Sequence, residues 1–132
     1  MSESNREVEL EVRERRLKVL ETCLGPSIMH YMHDNNVTEV MVNPDGRVWL
    51  DTFDKGFQKT EVIMKVENTK RIIYSIADMS GQVIDLKTDP SLQANIPESR
   101  LFANCRFQAE LPPIVNAPSF NIRKHSKVVI TL

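Results

Sequence analysis

The stretch VTEVMVNPDGRVWL, residues 37–50, constrains the fold more than any other part of the chain. Proline sets φ for the first central position of a turn and glycine accepts positive φ, so Asn43-Pro44-Asp45-Gly46 favours a tight turn. Apolar residues recur on both sides of this turn: Val37, Val40 and Val42 before it, Val48 and Leu50 after it. The pattern predicts a β-hairpin. Because Met41 and Val42 are adjacent, we expect the first strand to be buried on both faces.

Two helical segments are predicted before the hairpin. Residues 6–24 are rich in helix formers, and four leucines fall at helical spacing: Leu10, Leu17, Leu20 and Leu24. Gly25-Pro26 predicts the end of this helix. The segment SIMHYMHD predicts a second, shorter helix that offers Ile28, Met29 and Met32 for packing.

The rest of the chain predicts further strands and one more helix. KTEVIMK (59–65) predicts a third strand, residues 66–81 a helix capped by Gly81, and residues 82–90 a loop. Four more β segments follow: SLQANI, RLFANCRFQAEL, SFNIRK and KVVITL. We therefore predict an α+β fold, with N-terminal helices followed by a mainly antiparallel sheet of about six strands and one packed helix. Residues 1–24 form the N-terminal helix in this interpretation, and residues 25–132 form the α+β domain.

Charge is distributed unevenly along the chain. Residues 1–98 hold 12 Lys and Arg against 17 Asp and Glu, whereas residues 99–132 hold 5 against 1. The basic C-terminal region could attract phosphate or another acidic partner, or could simply be a solvated surface. Cys23 and Cys105 do not form a disulfide pattern, which favours a reducing compartment. No signal-peptide or membrane-spanning apolar run is visible, so we expect a soluble or at most peripheral protein.

Several kinds of site have no support in the sequence. There is no G-x-x-x-x-G-K-[ST] phosphate loop, and the four glycines are scattered. His30 and His33 share one side of the second helix but lack further zinc ligands at suitable spacing, so no metal site is predicted. Cys105 lies beside Arg106, which could lower the pKa of the thiol, but a buried structural thiol is the better interpretation.

Arg106 and Arg123 lie on two predicted strands that flank the proline-rich segment LPPIVNAP. Phe102, Phe107 and Phe120 alternate with basic residues there, as in some single-strand nucleic-acid binders. Phenylalanines on strands usually face the core, however, and Phe107 and Phe120 lie on the pleat face opposite Arg106 and Arg123. Direct nucleic-acid binding is therefore disfavoured.

The segment RFQAELPPIVNAPSFNIRK resembles the end of the N-terminal domain of type IV secretion traffic ATPases, in particular the conjugative-transfer (TrbB-type) branch. Three further segments agree in order: LGPSIMHYMHDNNVTEVMVNPDGRVWLD, TKRIIYSIADMSG and SLQANIP. The resemblance covers about residues 20–132. A type IV pilus or type II secretion motor is a related alternative that fits these segments less well.

The resemblance implies one part of a hexameric ATPase that couples ATP hydrolysis to DNA or protein transfer. In that family, nucleotide lies between the N-terminal domain and a RecA-like motor domain, which holds the Walker motifs. Arg106 and Arg123 match the arginines that reach the phosphates, and Arg100 and Lys124 are weaker candidates. Implied cofactors are ATP and Mg²⁺ in the full-length protein, and we expect none bound to this chain alone. Implied partners are the motor domain, a homo-hexamer and other secretion components, with a cytoplasmic location, peripheral at the inner membrane.

The sequence also departs from the family pattern. IPESRLFANCR lacks the short glycine turn before the first arginine, so Arg100 could replace or assist Arg106. Gln108 stands where an acidic residue is common. The chain lacks the motor domain, so we expect it to be inactive alone and classify it as an enzyme only as part of the whole ATPase. The alternative function is an autonomous interaction module that binds protein or single-stranded nucleic acid through residues 99–132.

Overall fold

The computed structural model describes residues 3–125 and has the predicted α+β fold. The predicted strand KVVITL lies outside the described residues. In chain order the elements are α1 (Glu3–His33), β1 (Val37–Val42), β2 (Arg47–Thr52), β3 (Gly56–Ile63), α2 (Val66–Met79), β4 (Ser91–Ile96), β5 (Cys105–Glu110) and β6 (Ser119–Lys124).

Helix α1 contains both predicted N-terminal helices. It is interrupted at Gly25, whose φ of 82° and ψ of 167° are non-helical, and Pro26 follows at once. Only glycine adopts this backbone geometry without strain, so the kink occurs where the sequence predicts it. The core side of α1 begins at Leu17 and continues beyond the kink through Met32. The prediction that Leu10 joins this stripe is wrong, because its side chain is half exposed on a part of the helix that has no buried residue.

The predicted hairpin forms between β1 and β2. The Gly46 N–H donates to the Asn43 carbonyl at 2.8 Å, which closes the turn. Gly46 has φ +86°, and a Cβ there would lie 2.5 Å from the carbonyl oxygen of Met64. The position therefore needs glycine both for its backbone angle and for the close approach of another chain segment.

Strand β1 is buried on one face, not on both as predicted. Val40 and Val42 are buried, whereas Met41 between them is half exposed. The register of β1 against β2 shifts between Val37 and Glu39, as in a β-bulge. Because a bulge adds one residue to one strand, Val37 and Val40 both face the core despite their odd spacing.

Strand β3 and helix α2 follow closely on the hairpin. Strand β3 begins three residues before the predicted start and ends at Ile63. Helix α2 buries the predicted stripe, and Gly81 follows it with φ +66° while the Gln82 N–H donates to the Ala77 carbonyl. The stripe consists of Ile72, Ile73, Ile76 and Ala77.

The second half of the chain provides the remaining strands. β5 begins only at Cys105, so the prediction of a strand from Arg100 is wrong for residues 100–104. There the Ser99 hydroxyl accepts hydrogen bonds from the N–H groups of Leu101 and Phe102, which bends the chain away from an extended path. Residues 82–90 form the predicted loop, apart from an isolated bridge between Asp85 and Asp89.

All six described strands form one antiparallel sheet in the order β3-β2-β1-β6-β5-β4. The hairpin therefore joins the C-terminal strands through the pairing of β1 with β6. Helices α1 and α2 contact each other and pack on the apolar face of the sheet. The other face carries the side chains that alternate with the core, and this second face holds the candidate site.

Candidate functional site

Arg106 and Arg123 lie directly opposite each other on β5 and β6. Both side chains are exposed, while the next pair along, Phe107 and Ile122, is fully buried on the other face. The strict alternation of β5 between buried and exposed positions fixes this orientation. The sheet therefore brings the two predicted arginines together on its outer face.

A cross-strand row of polar side chains contains this pair. In order from β2 to β4, its members are Asp51, Glu39, Arg123, Arg106 and Asn95. Directly opposed Cβ atoms in antiparallel sheets are about 4.5–5.5 Å apart, so neighbours in the row interact. Two like charges side by side destabilise a sheet, and a bound anion would relieve that repulsion.

Glu39 is the acidic neighbour of Arg123 in this row. Its carboxyl group is half-buried, and burial raises its pKa. The positive charge of Arg123 acts in the opposite direction, and the negative charge of Asp51 adds to the rise. Glu39 thus interacts electrostatically with Arg123 across the strand pair.

A cleft of about 740 Å³ opens beside Arg123 at the end of α1. Its lining includes the two acidic side chains of the row, an exposed phenylalanine and two histidines: Glu39, Asp51, Phe53, His33 and His125. The cleft is therefore mixed in charge, and Arg123 lies between it and Arg106. Arg106 does not line the cleft.

Lys124 has a structural position. Its ammonium group donates to the carbonyls of Tyr31, Met32 and Asp34 at 3.2, 3.2 and 2.7 Å, where α1 ends. Cations at a helix C-terminus are favourable because the last carbonyls lack intrahelical partners. Burial lowers the pKa of Lys124, while Asp34 and Cys105 raise it. All three ammonium donors are used inside the fold, which argues against a contact between Lys124 and phosphate.

Arg100 lies elsewhere. It is exposed in the segment between β4 and β5 and lines a second cavity of about 510 Å³. The charged side chains around that cavity come from α1: Glu11, Glu14, Arg15 and Lys18. Of the four candidate residues, Arg106 and Arg123 are paired on the outer face of the sheet. Lys124 lines the cleft beside Arg123, but its ammonium is bonded to carbonyls at the end of α1.

Cys105 has the character of a core thiol. It is fully buried and donates to the Ala103 carbonyl at 3.1 Å. Burial raises the pKa of the thiol to about 11, although Lys124 acts in the opposite direction. The prediction of a buried structural thiol is confirmed, and the alternative of a lowered pKa is wrong because desolvation dominates.

The three phenylalanines that alternate with basic residues do not form a surface for stacking nucleic-acid bases. Phe102, Phe107 and Phe120 are all buried, and the rings of Phe107 and Phe120 stack with centroids 5.2 Å apart. Their predicted orientation toward the core is confirmed. Within residues 3–125, no group of three or more His, Cys, Asp or Glu side chains could hold a metal ion.

Sequence reasoning missed Glu39 and the position of Lys124. Alternation along β1 could have placed Glu39 on the outer face, but only the pairing of β1 with β6 makes it a neighbour of Arg123. That pairing joins segments about 80 residues apart, and no local pattern specifies it.

Comparison with known proteins agrees with this architecture. No family model matches the chain. The chain is 28% identical over 118 residues to the probable conjugal transfer protein TrbB of Sinorhizobium fredii (strain NGR234), covering 89% of this chain and 34% of that protein. It is 29% identical over 118 residues to the conjugal transfer protein TrbB of Rhizobium radiobacter, with 89% and 35% covered. This chain is a homologue of the TrbB proteins. It spans about a third of their length.

A solved structure supports the same relationship. The crystal structure of the VirB11 ATPase from the Brucella suis type IV secretion system, in complex with sulphate, superposes with a TM-score of 0.76 at 25% identity. The match covers 92% of this chain and 35% of that protein. The resemblance to conjugation and type IV secretion ATPases is confirmed, as is the α+β fold. Among the described helices, none is long and apolar enough to cross a membrane.

Proposed function

We propose that this chain is the N-terminal domain of a conjugation or secretion ATPase of the TrbB type. In this proposal, Arg106 and Arg123 contact the phosphates of a nucleotide held against a separate motor domain. The observation that carries the proposal is their direct pairing on the outer face of β5 and β6. The homology to TrbB proteins and the fold shared with the VirB11 ATPase support it.

The chemistry of the pair suits phosphate. A guanidinium is planar, permanently charged and offers several donors, so it can bind phosphate oxygens through two hydrogen bonds at once. Two such groups on neighbouring strands can neutralise charge that develops on a transferred phosphoryl group, as an arginine finger does. The strands hold the backbones of both residues, so little ordering is needed when the anion binds.

The other parts of the proposal rest on the resemblance to conjugation and secretion ATPases. The complete protein would bind ATP and Mg²⁺, assemble as a homo-hexamer and contact other secretion components, in the cytoplasm and peripherally at the inner membrane. The described residues supply cations for phosphate but no group of carboxylates and histidines for a metal. We therefore assign the Mg²⁺ ligands to the motor domain and the nucleotide. In this proposal, residues 1–24 form an N-terminal helix and residues 25–132 the α+β domain, with Leu17, Leu20 and Leu24 packing the helix into the shared core.

The test is ATP turnover by the complete ATPase that contains this segment. Arg106→Ala and Arg123→Ala should each lower kcat by about 10²- to 10³-fold, the range seen when a transition-state contact is removed. Lys59→Ala is the matched control, because Lys59 is an exposed cation at the far edge of the same sheet. Turnover within threefold of wild type in both arginine variants would contradict the proposal. The 132-residue chain alone should show no turnover.

A further inference from the structure

Glu39 shares the electrostatic environment of Arg123 more closely than any other acidic residue of the cross-strand row. It is the residue that faces Arg123 across the β1–β6 pair, and Arg106 faces Arg123 across the β5–β6 pair. The guanidinium of Arg123 is therefore attracted from one side and repelled from the other. Its rotamer can lean toward the carboxylate, away from Arg106, at little cost.

To bind an anion between the two arginines, the guanidinium of Arg123 has to move away from Glu39. To contact the same anion as Arg106, the guanidinium has to lie over β5 and β6 and not over β1. We propose that Glu39 is the internal counter-ion of Arg123, which competes with phosphate for this guanidinium and makes anion binding at the arginine pair depend on pH. This inference rests on the proposed phosphate role of Arg106 and Arg123.

The sign of the pH dependence follows from the charges. Burial raises the pKa of Glu39, so this carboxyl group takes up a proton at a higher pH than an ordinary glutamate. Protonation removes the competitor, so anion binding should tighten as the pH falls toward and through that raised pKa. Asp51, His33, His125 and Lys124 also line this cleft, so part of any pH dependence comes from them. Only a difference between matched variants isolates the contribution of Glu39.

The experiment measures sulfate binding to the 132-residue chain by NMR titration at constant ionic strength. Sulfate is the probe because, unlike phosphate, it keeps the same charge from neutral to mildly acidic pH. Glu39→Gln keeps the size of the side chain and should tighten sulfate binding about two- to fivefold at neutral pH, the worth of one exposed ion pair. Its affinity should also vary less with pH than that of wild type. Glu61→Gln, an exposed carboxylate on β3, is the control and should change neither quantity.

A second readout follows from linkage. If Glu39 competes with sulfate, saturating sulfate must raise the pKa of Glu39, because the coupling between two binding events is reciprocal. The carboxyl carbon signal of Glu39 reports this pKa directly. In Arg123→Ala the pKa should be higher than in wild type and should no longer respond to sulfate.

The outcomes separate this inference from the proposed function. If Arg106→Ala and Arg123→Ala weaken sulfate binding but Glu39→Gln behaves like wild type, the counter-ion role is wrong and the phosphate role stands. If neither arginine variant weakens binding, or if no sulfate binds to wild type or to Glu39→Gln, the counter-ion inference is overturned, and ATP turnover by the complete protein decides the phosphate role. Tighter binding by Glu39→Gln, lost on adding Arg123→Ala, supports both.

Discussion

Replacing Lys124 with methionine should destabilise the fold by about 2 kcal/mol. Methionine keeps most of the side-chain volume but removes the ammonium that holds the end of α1 to β6. In wild type this ammonium donates to the carbonyls of Tyr31, Met32 and Asp34. The change therefore breaks three hydrogen bonds that span 90 to 93 residues of sequence.

The size of this loss of stability depends on which hydrogen bonds each carbonyl still accepts in the variant. Tyr31 and Asp34 retain a partner, because their carbonyls also accept the N–H groups of Asp34 at 3.2 Å and Val37 at 3.0 Å. The Met32 carbonyl has no second partner among the described backbone bonds outside helices and strands. One orphaned, half-buried carbonyl costs about 1–3 kcal/mol, and removing a partly buried charge returns part of that. We therefore expect about 2 kcal/mol, well below the sum of three charged hydrogen bonds.

Urea denaturation followed by circular dichroism measures the loss in free energy of unfolding. Thermal denaturation is a second measurement. At roughly 3–5 °C per kcal/mol for a chain of this size, the Tm should fall by about 6–10 °C. Lys59→Met is the control, since it removes an equally long cation from an exposed position on β3. If the two variants unfold at the same urea concentration, Lys124 does not stabilise the end of α1 and becomes available again as a phosphate ligand.

Two further predictions concern the turns and the thiols. Gly46→Ala should destabilise the protein by about 3 kcal/mol, because it combines backbone strain with a clash against Met64. Gly81 also has positive φ but has open space around it, so Gly81→Ala should cost only about 1 kcal/mol in the same urea assay. A thiol reagent at mildly alkaline pH should modify Cys23 in the folded protein and reach Cys105 only on unfolding, since burial raises the pKa of Cys105 to about 11. Mass spectrometry of the two cysteine-containing peptides measures which thiol is modified first, and modification of Cys105 before Cys23 would refute this reasoning.

Local features of the fold were predictable from sequence. The turn at residues 43–46 and the apolar stripe of α2 depend on neighbours within a few residues, and both are where the sequence predicts them. The prediction of a strand beginning at Arg100 was wrong, because the alternation of apolar and polar residues does not reveal that the Ser99 hydroxyl bends the backbone there. The exposure of Leu10 was missed because helical spacing shows an apolar stripe on α1 but not how far the surface that packs against it extends.

The candidate site was predictable only in part. Arg106 and Arg123 were selected from a resemblance, and the alternation of their strands correctly placed them on the face opposite the core. The register that makes them direct neighbours comes from the β5–β6 ladder, and Glu39 enters through a pairing between distant segments. Lys124 was grouped with the arginines because its charge is visible in sequence, whereas its carbonyl partners on α1 are not.

The arginine pair also poses a question of stability. Two cations directly opposite in a sheet destabilise it by a few tenths of a kcal/mol, and a neutral residue at either position would remove that cost. Glu39 offsets the repulsion on one side only, because its neighbour is Arg123 and not Arg106. A chain selected for stability alone would have no reason to keep this arrangement. If both arginines share an anion, as we propose, binding relieves this repulsion, so the pairing that weakens the empty fold would strengthen anion binding.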